Sequence, residues 1–332
     1  MPTGSKRGMS GLRRAAGVSA LAVAGGIGYS ALMVAHRVPL PDAVSGERRE
    51  IARRAGPLSY YVAGEGAPVL LLHSINAAGS VYEVRPVFEH LKATRRVYAV
   101  DLPGFGFSDR ADRRYDVALY VAAVRDMLDE IADAHGDAPV DVLAVSLASE
   151  FAARAATEVP QRFRTLALVT PTGFSRQYAN LDGAEFATRE IPGMYGFFTF
   201  PLWSRAVYDL LTSRRSIRYF LERTYGSKDI DEGMLDYDYA TTHQPGAQHA
   251  PYAFVSGRLF SKDIRAVYER LALPVWVPHG TRGDFKDFSQ TGWAASRPNW
   301  RFQPFDAGAL VHFEHTARFM ADYEAFVAAA PR

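Results

Sequence analysis

The chain contains no cysteine. That excludes disulfides, thiolate catalysis and cysteine metal sites, and it leaves the redox compartment undecided. A charge excess is also lacking: 38 Lys and Arg against 36 Asp and Glu give a net charge of +2. Without a basic stripe interleaved with aromatics, no nucleic-acid partner is expected. No His-Glu-x-x-His occurs, and His243, His249 and His279 do not have the spacing of zinc ligands. Gly104-Phe105-Gly106 lacks the third glycine and the helix start of a dinucleotide fingerprint. Neither a metal nor an organic cofactor is therefore expected. Internal repeats are absent too.

What is there is a chain of 332 residues, 48% hydrophobic and 22% charged. These are ordinary values for a globular protein with one large domain carrying an insertion, or with two domains. The organising stretch is 139–156, Pro-Val-Asp-Val-Leu-Ala-Val-Ser-Leu-Ala-Ser-Glu-Phe-Ala-Ala-Arg-Ala-Ala. An apolar run ends at Ala144, Ser146 follows, and a helical pattern runs from Leu147 to Ala156. Small residues, Ala144 and Ala148, stand two before and two after the serine. Strand, sharp turn and helix with a serine at the apex make a nucleophile elbow. A plain helix N-cap serine is the competing reading.

At the N-terminus Lys6, Arg7, Arg13 and Arg14 precede an uncharged run from Ala15 to Ala35. As a helix that run would span about 30 Å, the thickness of a bilayer core. Residues 1–36 are expected to be an uncleaved signal anchor, with the rest of the chain outside the cytoplasm. The alternatives are a cleaved secretory signal ending near Met33-Val34-Ala35, leaving a secreted or periplasmic protein, and an Ala/Gly-rich helix lying on the protein. Residues 37–57 read as a linker.

From there strands and helices alternate. Strands are expected at 58–62, 68–73, 96–100, up to Ala144, 164–170, 274–278 and 300–304, with helices at 82–91, 115–135, 147–156 and 312–329. The continuous apolar run Pro68–His73 suits a central strand buried on both faces. Alternation implies α/β architecture, a mostly parallel doubly wound sheet, with ligands at the carboxyl ends of the strands. It lapses over 174–273, which is rich in aromatics and has helical patches at 203–212 and 214–224. That stretch is expected to be a helical cap over a core of 58–173 and 274–332.

The segments Val69–Asn76, Val100–Arg110, Val142–Ala148 and Pro274–Asp287, in this order, resemble the α/β-hydrolase fold superfamily in its capped, lipase- and esterase-like branch. The resemblance covers 58–330. It implies Ser146 as nucleophile and the backbone N–H groups of Ile75 and Leu147 as the oxyanion hole. It implies an acid after the strand 274–278, with Asp284 the first candidate and Asp287 the second. Three departures stand out. Alanines flank Ser146 where glycines are usual, and His73-Ser74 stands where His-Gly is common. Gly308-Ala309 occupies the place of the family's Gly-His pair. His312, three residues on, is then either the base through a shifted loop or a histidine packed beneath the site and bonded to Glu314 or backbone. The expected function is a serine hydrolase that cleaves a carboxylic ester or related acyl bond of an apolar small molecule through an acyl-enzyme. The competing readings are a catalytically degenerate binding protein and a cofactor-free lyase on the same scaffold.

Overall fold

The computed structural model describes residues 24–179 and 181–331. A helix at 24–33 (α1) is followed by the strands Glu47–Arg53 (β1), Gly56–Ala63 (β2) and Pro68–Leu72 (β3). A 3-10 turn, Val81–Val84, leads into Arg85–Leu91 (α2), then Arg96–Val100 (β4) and Val117–His135 (α3). Next come Val140–Val145 (β5), Ala148–Glu158 (α4) and Phe163–Val169 (β6). Six helices follow: Met194–Thr199 (α5), Ser204–Leu211 (α6), Arg214–Tyr225 (α7), Glu232–Thr242 (α8), His249–Val255 (α9) and Ile264–Glu269 (α10). The chain closes with Val275–Gly280 (β7), Gly292–Ala295 (α11), Trp300–Phe305 (β8), Val311–Glu314 (α12) and Thr316–Ala329 (α13).

The eight strands form one sheet in the order β1-β2-β4-β3-β5-β6-β7-β8. Only β1 with β2 and β2 with β4 pair antiparallel; the other pairs are parallel. The apolar run of β3 is buried on both faces because alternate side chains point to opposite sides. Leu70 and Leu72 join one core with α3 and α4, and Val69 and Leu71 join the other with α2 and α13. The doubly wound α/β sheet expected from the sequence is thus the observed fold.

Two boundaries differ from expectation. Residues 37–57 are not a linker throughout, because β1 lies in them and pairs with β2 along its whole length. Its sequence, Glu-Arg-Arg-Glu-Ile-Ala-Arg, is exposed almost throughout. A solvated edge strand needs no apolar alternation and is blunted by charge, so it carries no periodic signal. The second difference is α10. Ile264, Val267 and Tyr268 are buried in the core that holds α4, and Asp263 forms a buried ion pair with Arg154 of α4 at 2.8 Å. The last part of 174–273 therefore packs as core, and the insert over the strand tips ends before it.

The N-terminal expectation falls partly on residues 1–23, which lie outside the described residues. Among the described residues no helix is long and apolar enough to cross a membrane. α1 lies against α6: the Ser30 hydroxyl donates to Asp209 at 2.5 Å, and His36 Nε2 meets the same carboxylate at 2.9 Å.

Candidate active site

Ser146 sits at the carboxyl end of β5, at the turn into α4, with φ of 53°. A left-handed backbone on a residue with a Cβ costs on the order of 1–3 kcal/mol and persists only where its surroundings hold it. Here the Ser146 N–H continues the β5–β6 ladder to the Val169 carbonyl at 2.8 Å, and its own carbonyl accepts from Ser149 at 3.1 Å. The flanking alanines, 144 and 148, are fully buried. The elbow geometry is therefore reached with alanine in place of glycine.

The second part of this half is the loop after β3. His73 is wholly buried; its Nδ1 donates to the Ser74 carbonyl at 2.6 Å and its Nε2 accepts from the Leu102 N–H at 2.9 Å. Burial pushes its pKa down to about 3, so it is a neutral structural ring. Ser74 takes no left-handed angle. Its N–H and hydroxyl both donate to the buried Glu83 carboxylate, at 2.7 and 3.0 Å, and Asn76 Nδ2 donates to the same group at 2.7 Å. One carboxylate from the 3-10 turn thus clamps the loop that presents Ile75. Among the described residues neither the Ile75 N–H nor the Leu147 N–H donates a hydrogen bond to another protein group. Free N–H groups on those two segments are what an oxyanion hole requires.

Ser146 opens into a cavity of about 390 Å³. Its walls come from the loop after β6 (Thr170–Gly173), from the insert (Ile191, Phe254, Phe260) and from the loop after β7 (Asp284, Phe285, Asp287, Phe288). One turn beyond Ser146, Glu150 is fully buried and accepts from the Thr172 hydroxyl at 2.5 Å and the Ser261 N–H at 2.9 Å. Burial raises its pKa to about 7.

The structure thus brings Ser146, Asp284 and Asp287 to one cavity, and it does not bring His312 there. His312 is wholly buried; its Nε2 donates to the Glu83 backbone carbonyl at 2.6 Å, while its Nδ1 is buried without a partner. It packs edge-on to Phe313 and tilted against Phe319. Burial lowers its pKa to about 4. A ring bonded to a carbonyl through one nitrogen and sealed from solvent at the other has no path to the serine proton. The expectation of His312 as base is corrected in favour of the packed, backbone-bonded histidine. Glu314 is not its partner either; that carboxylate accepts from the Gly308 N–H at 2.6 Å and pairs with Arg282.

The carboxylates have other partners. Asp284 is half-exposed and ion-paired with Arg223 of α7 at 2.5 Å. Asp287 accepts from the Arg176 and Ser289 N–H groups at 2.8 and 3.1 Å, which hold it below the usual carboxylate range. Above both stands the end of α7. The Asp284 N–H donates to the Arg223 carbonyl at 3.1 Å and the Ala309 N–H to the Thr224 carbonyl at 2.8 Å. A Cβ on Gly308 would lie 2.3 Å from the Thr224 oxygen, and one on Gly283, at φ +74°, 2.5 Å from the Arg223 oxygen. Glycine at these two positions permits a backbone approach that no side chain would allow.

Sequence reasoning missed Glu83 and Glu150. Each is a lone acid inside an apolar stretch, Val-Tyr-Glu-Val and Ser-Glu-Phe-Ala-Ala. Such a residue is buried only with partners, and that was the available signal.

A family model for the alpha/beta hydrolase fold matches residues 67–249. A 2-hydroxymuconate semialdehyde hydrolase of Pseudomonas putida is 27% identical over 290 residues, 85% of this chain and 94% of that protein. Among solved structures, a probable hydrolytic enzyme from Pseudomonas aeruginosa superposes with a TM-score of 0.67 at 19% identity, covering 90% of this chain and 99% of that one. A meta-cleavage product hydrolase from Pseudomonas fluorescens does so with a TM-score of 0.62 at 20% identity, covering 84% and 96%.

Proposed function

The chain belongs to the α/β-hydrolase fold family, and from that premise we propose that it is a hydrolase acting through Ser146 on an acyl bond of an apolar small molecule. The observation that carries this reading is the left-handed Ser146 at the strand–helix turn, open to a cavity, with uncommitted N–H groups among the described residues on Leu147 and on Ile75 in the loop after the neighbouring strand β3. A protein that only bound ligands has no need of a strained serine facing its cavity. In the proposed reaction the Ser146 oxygen attacks the acyl carbon, and the charge that develops on the carbonyl oxygen is taken by the Ile75 and Leu147 N–H groups. The Ser146 proton passes to solvent water, collapse of the intermediate breaks the bond between the acyl carbon and the leaving-group oxygen so that the alcohol departs, and a water molecule then hydrolyses the acyl-enzyme to the carboxylic acid and free Ser146. Asp284 is kept as the acid of the site, facing the cavity and available once Arg223 moves aside. Among the described residues no histidine lines the Ser146 cavity, so substrates with good leaving groups are favoured, since loss of one triad member leaves the catalysis supplied by the oxyanion hole and binding. Ile191, Phe254, Phe260 and Phe288 give the cavity its apolar character.

The test is incubation with p-nitrophenyl esters, followed by intact-mass detection of an acyl group on Ser146. An adduct absent from Ser146→Ala supports the reading. Absence of any adduct in folded wild type overturns it and favours the ligand-binding alternative, to which Ala309 and the buried His312 point. Preference for long-chain over short-chain esters supports the apolar substrate; indifference to chain length removes that part.

We further propose that the N-terminal segment tethers the chain to a membrane, with the α/β domain outside the cytoplasm. The support is the basic flank before the uncharged run 15–35. Fractionation of cells expressing the full chain tests it: recovery in the membrane fraction with an externally protease-sensitive domain supports the tether, and recovery in the cytosol removes it.

A further inference from the structure

The loop between β3 and the 3-10 turn is held from two sides, and the two holders belong to different parts of the fold. From the core side, the Glu83 carboxylate accepts from the Ser74 N–H and from Asn76 Nδ2, so the residues before and after Ile75 are both fixed. Asn76 Oδ1 in turn accepts from the Ala78 N–H at 2.6 Å. From the insert side, the Tyr208 hydroxyl of α6 donates to the Ala77 carbonyl at 3.0 Å. The loop has little slack: a Cβ on Gly79 would lie 2.5 Å from the Ser74 oxygen. A displacement at Ala77 is therefore felt two residues back, at the Ile75 N–H.

Tyr208 reaches the loop from inside the insert. It is 1% exposed and packs edge-on to Tyr252 of α9, with ring centroids 5.9 Å apart. The Tyr252 hydroxyl donates to the Ser204 carbonyl at the start of α6, which ties the two helices together. α9 also carries Phe254, a wall of the Ser146 cavity. A buried phenol needs a partner for its O–H. This one finds its acceptor outside the insert, on the loop that carries Ile75. Burial pushes its pKa up, so the hydroxyl stays protonated and remains a donor.

We propose that Tyr208 is a positioning residue: through the Ala77 carbonyl it makes the placement of the Ile75 N–H depend on how α6 and α9 are seated. The catalytic part of this inference rests on the hydrolase reading; the link between insert and loop does not. Tyr208 touches no reacting atom. It acts on the transition state, because an oxyanion donor helps only where the charge develops.

The test compares the full chain with Tyr208→Phe, which keeps the ring and loses only the hydroxyl. Amide exchange is read by mass spectrometry on peptides covering 73–80 and 140–158. The expected result is exchange over 73–80 about tenfold faster in the variant, with 140–158 unchanged. With p-nitrophenyl esters, kcat for acylation is expected to fall by about tenfold, short of the ~10²–10³-fold loss of a whole oxyanion donor, while KM stays the same. The preference for an ester over its thiono counterpart, whose sulfur fits the donors poorly, shrinks with it. Unchanged exchange over 73–80 overturns the proposal whatever the chemistry. Faster exchange over 140–158 as well marks general loosening and also overturns it. Loosening confined to 73–80, with kcat and the thiono preference unchanged in an active enzyme, overturns the positioning role. A wild type that forms no acyl adduct overturns the hydrolase reading, and the exchange result then decides the link between insert and loop by itself.

Discussion

At the tips of β3 and β5 the backbone holds a left-handed angle and leaves N–H groups uncommitted; at the tips of β7 and β8 it is closed by packing. In the first region Ser146 holds a left-handed angle, Glu83 clamps the Ser74–Asn76 loop, and the Ile75 and Leu147 N–H groups have no protein partner among the described residues. In the second, Asp284 pairs with a helix arginine, Ala309 stands bonded to the end of α7, and His312 is turned to a carbonyl beneath the site. On the proposed reading, the contrast teaches that the nucleophile half of such a site does not depend on the acid–base half for its construction. The elbow is set by β5, β6 and α4, whereas the other half is set by loops that an insert helix can occupy.

The contrast breaks most sharply at Ser146. Ser146→Ala is expected to abolish the acyl adduct seen by intact mass and to leave the fold intact, while the residual turnover supplied by the oxyanion hole and binding persists. An adduct retained in the variant would place the chemistry elsewhere. Next is Gly308→Ala. Its Cβ would meet the Thr224 oxygen at 2.3 Å, so the end of α7 must move, at a cost of about 1–3 kcal/mol. Denaturant unfolding measures this, and an unchanged midpoint would mean that α7 does not pack tightly on the loop.

His312→Phe sharpens the packing side. It leaves the Glu83 carbonyl without its donor, a loss of about 1–3 kcal/mol near pH 7. It also changes the pH dependence. His312 is held at about 4 when folded, against 6.5 ordinarily. The unfolded ring gains its proton as pH falls through 6.5 and the folded ring does not, so this contribution is full above 6.5 and lost on the way down to about 4. Melting temperature should therefore fall less steeply over that window in His312→Phe than in wild type. His73, held at about 3, keeps part of the slope in both. Equal slopes would mean that His312 is not buried neutral. The smallest effect is Arg223→Ala. The Arg223–Asp284 pair is exposed, so the melting temperature should stay within error, while ester turnover rises modestly if Asp284 is freed toward the cavity.

Much of this was legible in the chain. The apolar runs of β3 and β5 and the serine between small residues carry their own signal, since burial on both faces and a tight turn each demand particular residue types. β1 was not legible, because a charged edge strand has no apolar face to reveal it. The core packing of α10 was hidden for a related reason: a six-residue helix shows too little periodicity to declare its partner. The destination of His312 depends on Glu83, 229 positions away. Sequence spacing alone does not say which carbonyl a histidine will meet. Gly308-Ala309 did mark the departure in the sequence, but only the contact with α7 shows what occupies the surroundings.

The central claim is that Ser146 is set up as a nucleophile without His312. Labelling of the full chain with a fluorophosphonate probe, beside Ser146→Ala and His312→Gln, tests it most directly. Glutamine keeps an amide donor for the Glu83 carbonyl, so the variant should remain folded. The account predicts labelling in wild type and in His312→Gln, and none in Ser146→Ala. Loss of labelling in folded His312→Gln would contradict it.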